Sequence, residues 1–135
     1  MQIEKEQLND SVEVRLDKKQ VYILDDDESV RRSLKLLMVA YGFAADTFSS
    51  VEDFFDAVPD SVPGCLILDI HMAGLNGWDT LQKLADKGSV RPVIVITADK
   101  DESFKEKAIK AGAVGFLQKP FEDHYLLHMV NRVLN

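Results

Sequence analysis

Four short, mostly apolar runs in this chain each stop at polar residues. Val21-Tyr22-Ile23-Leu24 runs into Asp25-Asp26-Asp27, and Cys65-Leu66-Ile67-Leu68 runs into Asp69. Val93-Ile94-Val95-Ile96 ends in Thr97, and Gly115-Phe116-Leu117-Gln118 ends in Lys119-Pro120. Continuous apolar runs of this length read as strands buried on both faces, as in a parallel sheet covered by helices. A charge buried inside such a sheet is costly. Each polar terminus is therefore expected in a crevice at the strand ends, with Asp69 at its centre.

Helical stripes separate the runs. Val30, Leu34, Leu37, Met38 and Tyr41 follow a helical period, and Gly42 stops it. A weaker strand is expected at Phe43–Thr47. Ser49 or Ser50 can cap a helix carrying Val51, Phe54, Phe55 and Val58, which Pro59 ends. The third helix carries Trp78, Leu81, Leu84 and Ala85 and stops at Gly88. The fourth is capped by Asp101, presents Phe104, Ala108 and Ala111, and closes at Gly112. The last begins near Glu122 and carries Leu126, Leu127, Val130, Val133 and Leu134.

Five strand–helix units in succession imply an α/β fold, a doubly wound parallel sheet with right-handed crossovers and five flanking helices. The most apolar strands (20–24, 65–68 and 93–96) belong in the centre. The strands at 43–47 and 115–118 belong at the edges. The resulting order, 2-1-3-4-5, is the flavodoxin-like arrangement, whose ligand site lies where strands one and three diverge. Asp25, Asp26 and Asp69 fall there.

The 135 residues suffice for one domain with its own core. We expect that domain over 20–135. Residues 1–19 read as a loosely ordered extension, or as one that docks a short strand at Val12–Leu16. A net charge of −7 argues against non-specific binding to nucleic acid or an anionic membrane. No run approaches the roughly 20 apolar residues needed to span a bilayer, and the N-terminus lacks the apolar stretch of a signal peptide. Cys65, the lone cysteine, reads as a small core residue. A reducing cytoplasm is the expected compartment.

Crowded carboxylates at Asp25, Asp26 and Asp69 repel, and without a cation the group should retain one or more protons. An all-oxygen cluster suits a hard cation. Mg²⁺ fits because it takes one or two carboxylates and completes its shell with water and phosphate oxygens, and Mn²⁺ can replace it. Asp27 reads instead as the cap of the first helix. Lys119 can pair with one of the carboxylates or with a phosphoryl oxygen. Thr97 can donate a hydroxyl hydrogen bond, or simply end its strand. Taken together, a metal site, an ammonium, a hydroxyl and a free carboxylate are the parts needed to accept a phosphoryl group.

Several segments carry a family resemblance. They are Ile23-Leu24-Asp25-Asp26-Asp27, Leu68-Asp69 followed by Met72 and Gly77, Ile96-Thr97-Ala98, and Ala111-Gly112-Ala113 leading to Lys119-Pro120-Phe121. In these the chain resembles the receiver domain of two-component response regulators, a CheY-like domain, over residues 20–134. Lys119-Pro120-Phe121-Glu122-Asp123 resembles the branch that precedes a helix-turn-helix output domain. The resemblance implies that Asp69 is the phospho-acceptor, serving a sensor histidine kinase or histidine phosphotransfer protein. It also implies that the domain catalyses its own phosphorylation and dephosphorylation. Asp26 would bind Mg²⁺ directly, Asp25 directly or through water, and His71 through its backbone carbonyl. Thr97 and Lys119 would contact the phosphoryl oxygens, Phe116 would be the aromatic switch, and the bond before Pro120 would be cis. His71 and Asp99 occupy positions that tune the lifetime of the phosphate. Output, transcriptional in that branch, would pass through helix four, strand five and helix five, from about Glu102 to Asn135. That face would also serve a phosphorylation-dependent homodimer, and the domain itself would not touch nucleic acid.

Two departures stand out. Ala73 occupies a position where the family usually has proline, and Phe116 lacks a tyrosine hydroxyl. Rival readings fit less well. A haloacid-dehalogenase-like phosphatase would use Asp25 in an Asp-x-Asp-x-(Thr or Val) motif, but Ser29 misses the last position. A flavodoxin-like binding module would need a Gly- or Ser/Thr-rich loop after the first strand. A receiver that only binds partners would not need the full set of Asp25, Asp26, Asp69, Thr97 and Lys119. His124 and His128 lack the partners of a zinc site.

Overall fold

The computed structural model describes residues 19–72 and 76–135. Its strands are β1 (Gln20–Leu24), β2 (Ala44–Phe48), β3 (Cys65–Asp69), β4 (Val93–Thr97) and β5 (Gly115–Gln118). Its helices are α1 (Glu28–Ala40), α2 (Val51–Ala57), α3 (Gly77–Asp86), α4 (Ser103–Lys110) and α5 (Asp123–Leu134). All neighbouring strands pair in parallel, in the order β2-β1-β3-β4-β5. The weakly apolar strands are the edges, as expected. The alternative strand at Val12–Leu16, most of the N-terminal extension, and Ala73 lie outside the described residues.

Alternation along the buried strands divides the core into two layers. On one face Tyr22, Leu24, Leu66, Leu68, Val93 and Val95 meet Val51 and Phe54 of α2, Leu81 and Leu84 of α3, and Ala108 of α4. On the other, Val21, Ile23, Cys65, Ile67, Ile94 and Ile96 meet Leu34 and Met38 of α1 and Leu126, Leu127 and Val130 of α5. Burial pushes the Cys65 thiol up to about 12, so at neutral pH it is an inert core group.

Side chains close the starts of α1 and α2 where the sequence suggested, but not that of α4. The cap position of α4 is Glu102, which makes no side-chain cap bond, because Asp101 sits one residue too early and accepts the Ser103 N–H from outside the helix. The Asp27 carboxylate accepts the N–H groups of Ser29 and Val30, and the Ser50 hydroxyl accepts that of Asp53. Asn76 caps α3 by accepting the Asp79 N–H, a role the sequence reading did not assign. Tyr41 departs from its expected place in the α1 stripe. It is the residue after the helix and is exposed, because α1 stops at Ala40 and Gly42, at φ 92°, turns the chain away. Ala85 is likewise exposed. The second strand begins one residue later than expected. Phe43 bonds back to the Met38 carbonyl and buries its ring, leaving Ala44 to start the ladder.

Arg91 is buried and has no carboxylate partner among the described residues. Its guanidinium donates to the carbonyls of Pro59 and Val62 and lies over the rings of Tyr22 and Phe54. It thereby fixes the α2–β3 connection at the end of the sheet remote from Asp69.

At the Asp69 end, α3 starts against the backbone that follows β3. The Gly77 N–H donates to the Ile70 carbonyl at 2.9 Å. A Cβ on Gly77 would strike the Ile70 Cα and lie 2.6 Å from its Cδ1. Gly77→Ala should therefore cost about 1–3 kcal/mol, because rigid backbone must move aside. Urea unfolding would measure this loss, and a stability within error of the parent would contradict such close packing.

Candidate functional site

The C-terminal ends of β1, β3 and β4, with the residue after β5, converge on one acidic pocket. Asp25 follows β1 and is fully buried. One of its oxygens accepts the Asp27 N–H at 2.9 Å, and the other accepts the Lys119 ammonium at 2.7 Å. Asp26 is exposed at the rim. Asp69 ends β3 and is 5% exposed. Its Oδ1 accepts the His71 N–H at 3.0 Å, and its Oδ2 faces Lys119 Nζ at 3.4 Å. Asp25, Asp26 and Asp69 each offer an oxygen, and these three lie within 4.8 Å of one another.

Lys119 is held at both ends. Its backbone N–H donates to the Thr97 carbonyl at 2.7 Å, while its ammonium reaches Asp25 and Asp69. The Lys119–Pro120 peptide bond is cis. Thr97 is fully buried at the end of β4, and its hydroxyl oxygen accepts the Asp99 N–H at 3.0 Å. Phe116 lies in β5 opposite Val95, half-buried against the core layer that includes Met72 and Ala108. The His71 ring leaves the pocket and meets Asp99, Nε2 to Oδ2, at 3.2 Å.

Sequence spacing did not pick out Arg31. Its Nη1 donates to the Asp25 carbonyl at 2.7 Å and so anchors the β1–α1 turn from within α1. The available signal was its place four residues beyond Asp27, on the same helix face as the cap. The preference of Lys119 for Asp25 over Asp69 was also left open by the sequence.

The electrostatics suit a divalent cation. Burial raises the Asp69 carboxyl above its ordinary value, and the charge of Asp25 adds to the rise. The His71 N–H and Lys119 only partly oppose it. Burial alone would lower Lys119, but its bonds to Asp25 and Asp69 outweigh that and leave it raised and charged. Three carboxylates against one ammonium leave an excess of negative charge, with oxygens close enough to share one small ion. The donor set therefore fits Mg²⁺.

A family model, the response regulator receiver domain, matches residues 21–131. The chain belongs to that family, the receivers of two-component signalling, and the phosphatase and flavodoxin-like alternatives fall away. It is 36% identical to the transcriptional regulatory protein FixJ of Bradyrhizobium diazoefficiens, over 84% of this chain and 56% of FixJ. It is 40% identical to the response regulator protein TodT of Pseudomonas putida, over 84% of this chain and 50% of TodT. The chain thus spans about half the length of the curated relatives it matches. A receiver protein from Burkholderia phymatum superposes with a TM-score of 0.77 at 42% identity, covering 87% of this chain and 95% of that one. Among the described residues no helix is long and apolar enough to cross a membrane.

The raised Asp69 carboxyl has a measurable consequence. Ionising a group whose folded-state pKa lies above its unfolded value costs stability as pH rises through the folded pKa. Without divalent cation, Asp69→Asn should therefore be more stable than the parent at about pH 7, and the difference should vanish towards about pH 3. Urea denaturation in chelator across that range tests this. A variant less stable than the parent at neutral pH would show that the Lys119 pair outweighs the burial cost.

Proposed function

We propose that this domain accepts a phosphoryl group on Asp69 from a sensor histidine kinase or histidine phosphotransfer protein, in a Mg²⁺-dependent reaction. The convergence of Asp25, Asp26, Asp69 and Lys119 on one pocket carries the reading. Asp26 and Asp25 would hold the ion, with Asp69 and the His71 backbone carbonyl completing the protein's share. Bound there, Mg²⁺ supplies charge neutralisation for the phosphoryl oxygens.

The acceptor is a carboxylate oxygen of Asp69, fixed by the His71 N–H on its Oδ1. As its bond to phosphorus forms, the donor's N–P bond breaks. The leaving imidazole nitrogen keeps the electron pair. Lys119, whose ammonium already lies 3.4 Å from Asp69 Oδ2, would meet a phosphoryl oxygen there as a point charge. The Thr97 hydroxyl donates no hydrogen bond among the described residues, so its proton is free for a second oxygen. In the separate hydrolytic step water attacks phosphorus, the bond to Asp69 breaks with its electron pair going to the carboxylate, and inorganic phosphate leaves. His71 and Asp99 flank that path as lifetime-tuning residues. Movement of Thr97 and Phe116 then alters the α4–β5–α5 face, where Ile109, Val114 and Tyr125 are exposed. That face would bind a second copy or an output partner. The FixJ relative is a transcriptional regulatory protein, which supports a transcriptional output.

Incubation with Mg²⁺ and a small phospho-donor, followed by mapping, tests the proposal. The label should be acid-stable and base-labile on Asp69, absent in chelator and absent in Asp69→Ala. Lys119→Ala should slow labelling by about 10²-fold, the typical cost of losing one preorganised charge. Label on Asp25 would contradict the assignment, and no label would leave a binding-only domain.

A further inference from the structure

We propose that Asp99 is a positioning residue that sets the first turn of α4, joining the acceptor pocket to that helix through a ladder of hydrogen bonds. The ladder advances two residues at a time. The Thr97 hydroxyl accepts the Asp99 N–H at 3.0 Å, and Asp99 Oδ1 accepts the Asp101 N–H at 2.9 Å. Asp101 Oδ1 in turn accepts the Ser103 N–H and hydroxyl at 2.9 and 2.7 Å. The Asp101 carbonyl also accepts the Phe104 N–H at 3.1 Å, so the ladder ends inside the helix.

A second line of contacts runs alongside it. Asp99 Oδ2 holds the His71 ring at 3.2 Å, and that ring lies 5.8 Å from Phe104. Phe104 meets Trp78 edge-on at 5.3 Å, and Lys107 Nζ lies 4.2 Å above the Trp78 ring. Such aromatic contacts favour one mutual geometry beyond the area they bury. Asp99 is the member common to both lines. One of its oxygens orders the polar ladder and the other holds the ring that packs against Phe104. The segment after β3, the segment after β4 and α4 are thus tied at one carboxylate.

Two consequences separate by experiment. The first needs no ligand. In chelator, Asp99→Ala should speed hydrogen exchange at the Ser103 and Phe104 amides by about tenfold, the value of one lost hydrogen bond. It should also shift the emission of Trp78, the only tryptophan. Asp99→Asn, which keeps an acceptor oxygen in place, should restore both. Unchanged exchange and emission in Asp99→Ala would overturn the assignment. So would equal acceleration throughout β4 and α4, which marks general destabilisation, and so would failure of Asp99→Asn to restore either readout.

The second consequence rests on the reading of Asp69 as phospho-acceptor. A Thr97 hydroxyl that turns to a phosphoryl oxygen disturbs the first rung of the ladder. Phosphorylation should then shift Trp78 emission in the parent, and by at least about threefold less in Asp99→Ala at equal phosphate per chain. An equal shift in both proteins would overturn the coupling. Absence of phosphate from the parent would instead refute the acceptor reading and leave the ligand-free comparison to decide on Asp99.

Discussion

Repulsion among carboxylates at the strand ends is the constraint on which this structure turns. Asp25 and Asp69 are almost completely shielded from water and share their surroundings with Asp26. Such a grouping persists only where other contacts hold it together. Here those contacts are the Lys119 ammonium, the backbone N–H groups of Asp27 and His71, and a sheet whose strand ends are fixed by two buried layers. The helices that cover the sheet supply none of these charges. They hold the strand ends in register so that the charges meet.

Most of the architecture could be read from the sequence because the strands are buried on both faces. Burial on both sides leaves continuous apolar runs, and the run boundaries coincide with the chemistry at Asp25, Asp69, Thr97 and Lys119. Reading failed where an apolar side chain served a turn rather than a ladder. Phe43 looks like strand and belongs to the turn after α1, and Tyr41 fits the helical stripe yet faces solvent.

The site was legible as a set of residues more than as a set of bonds. Spacing brings Asp25, Asp26 and Asp69 together through the strand order, but no spacing rule says which carboxylate Lys119 prefers. Arg91 was silent for a related reason. Its partners are two carbonyls and two ring faces, none of which leaves a mark in sequence. Arg31 is similar, since its acceptor is the backbone of Asp25.

The pairing of Lys119 with Asp25 also bears on how the molecule assembles. The two residues are 94 positions apart, and four of the five strands, β2 to β5, lie between them in the chain. Closing so long a loop carries an entropic cost that the rest of the sheet must offset. Until β5 adds to the edge beside β4, Asp25 and Asp69 lack the ammonium that holds them together. The acidic pocket is therefore complete only once β5, the strand furthest in sequence from β1, has joined the sheet.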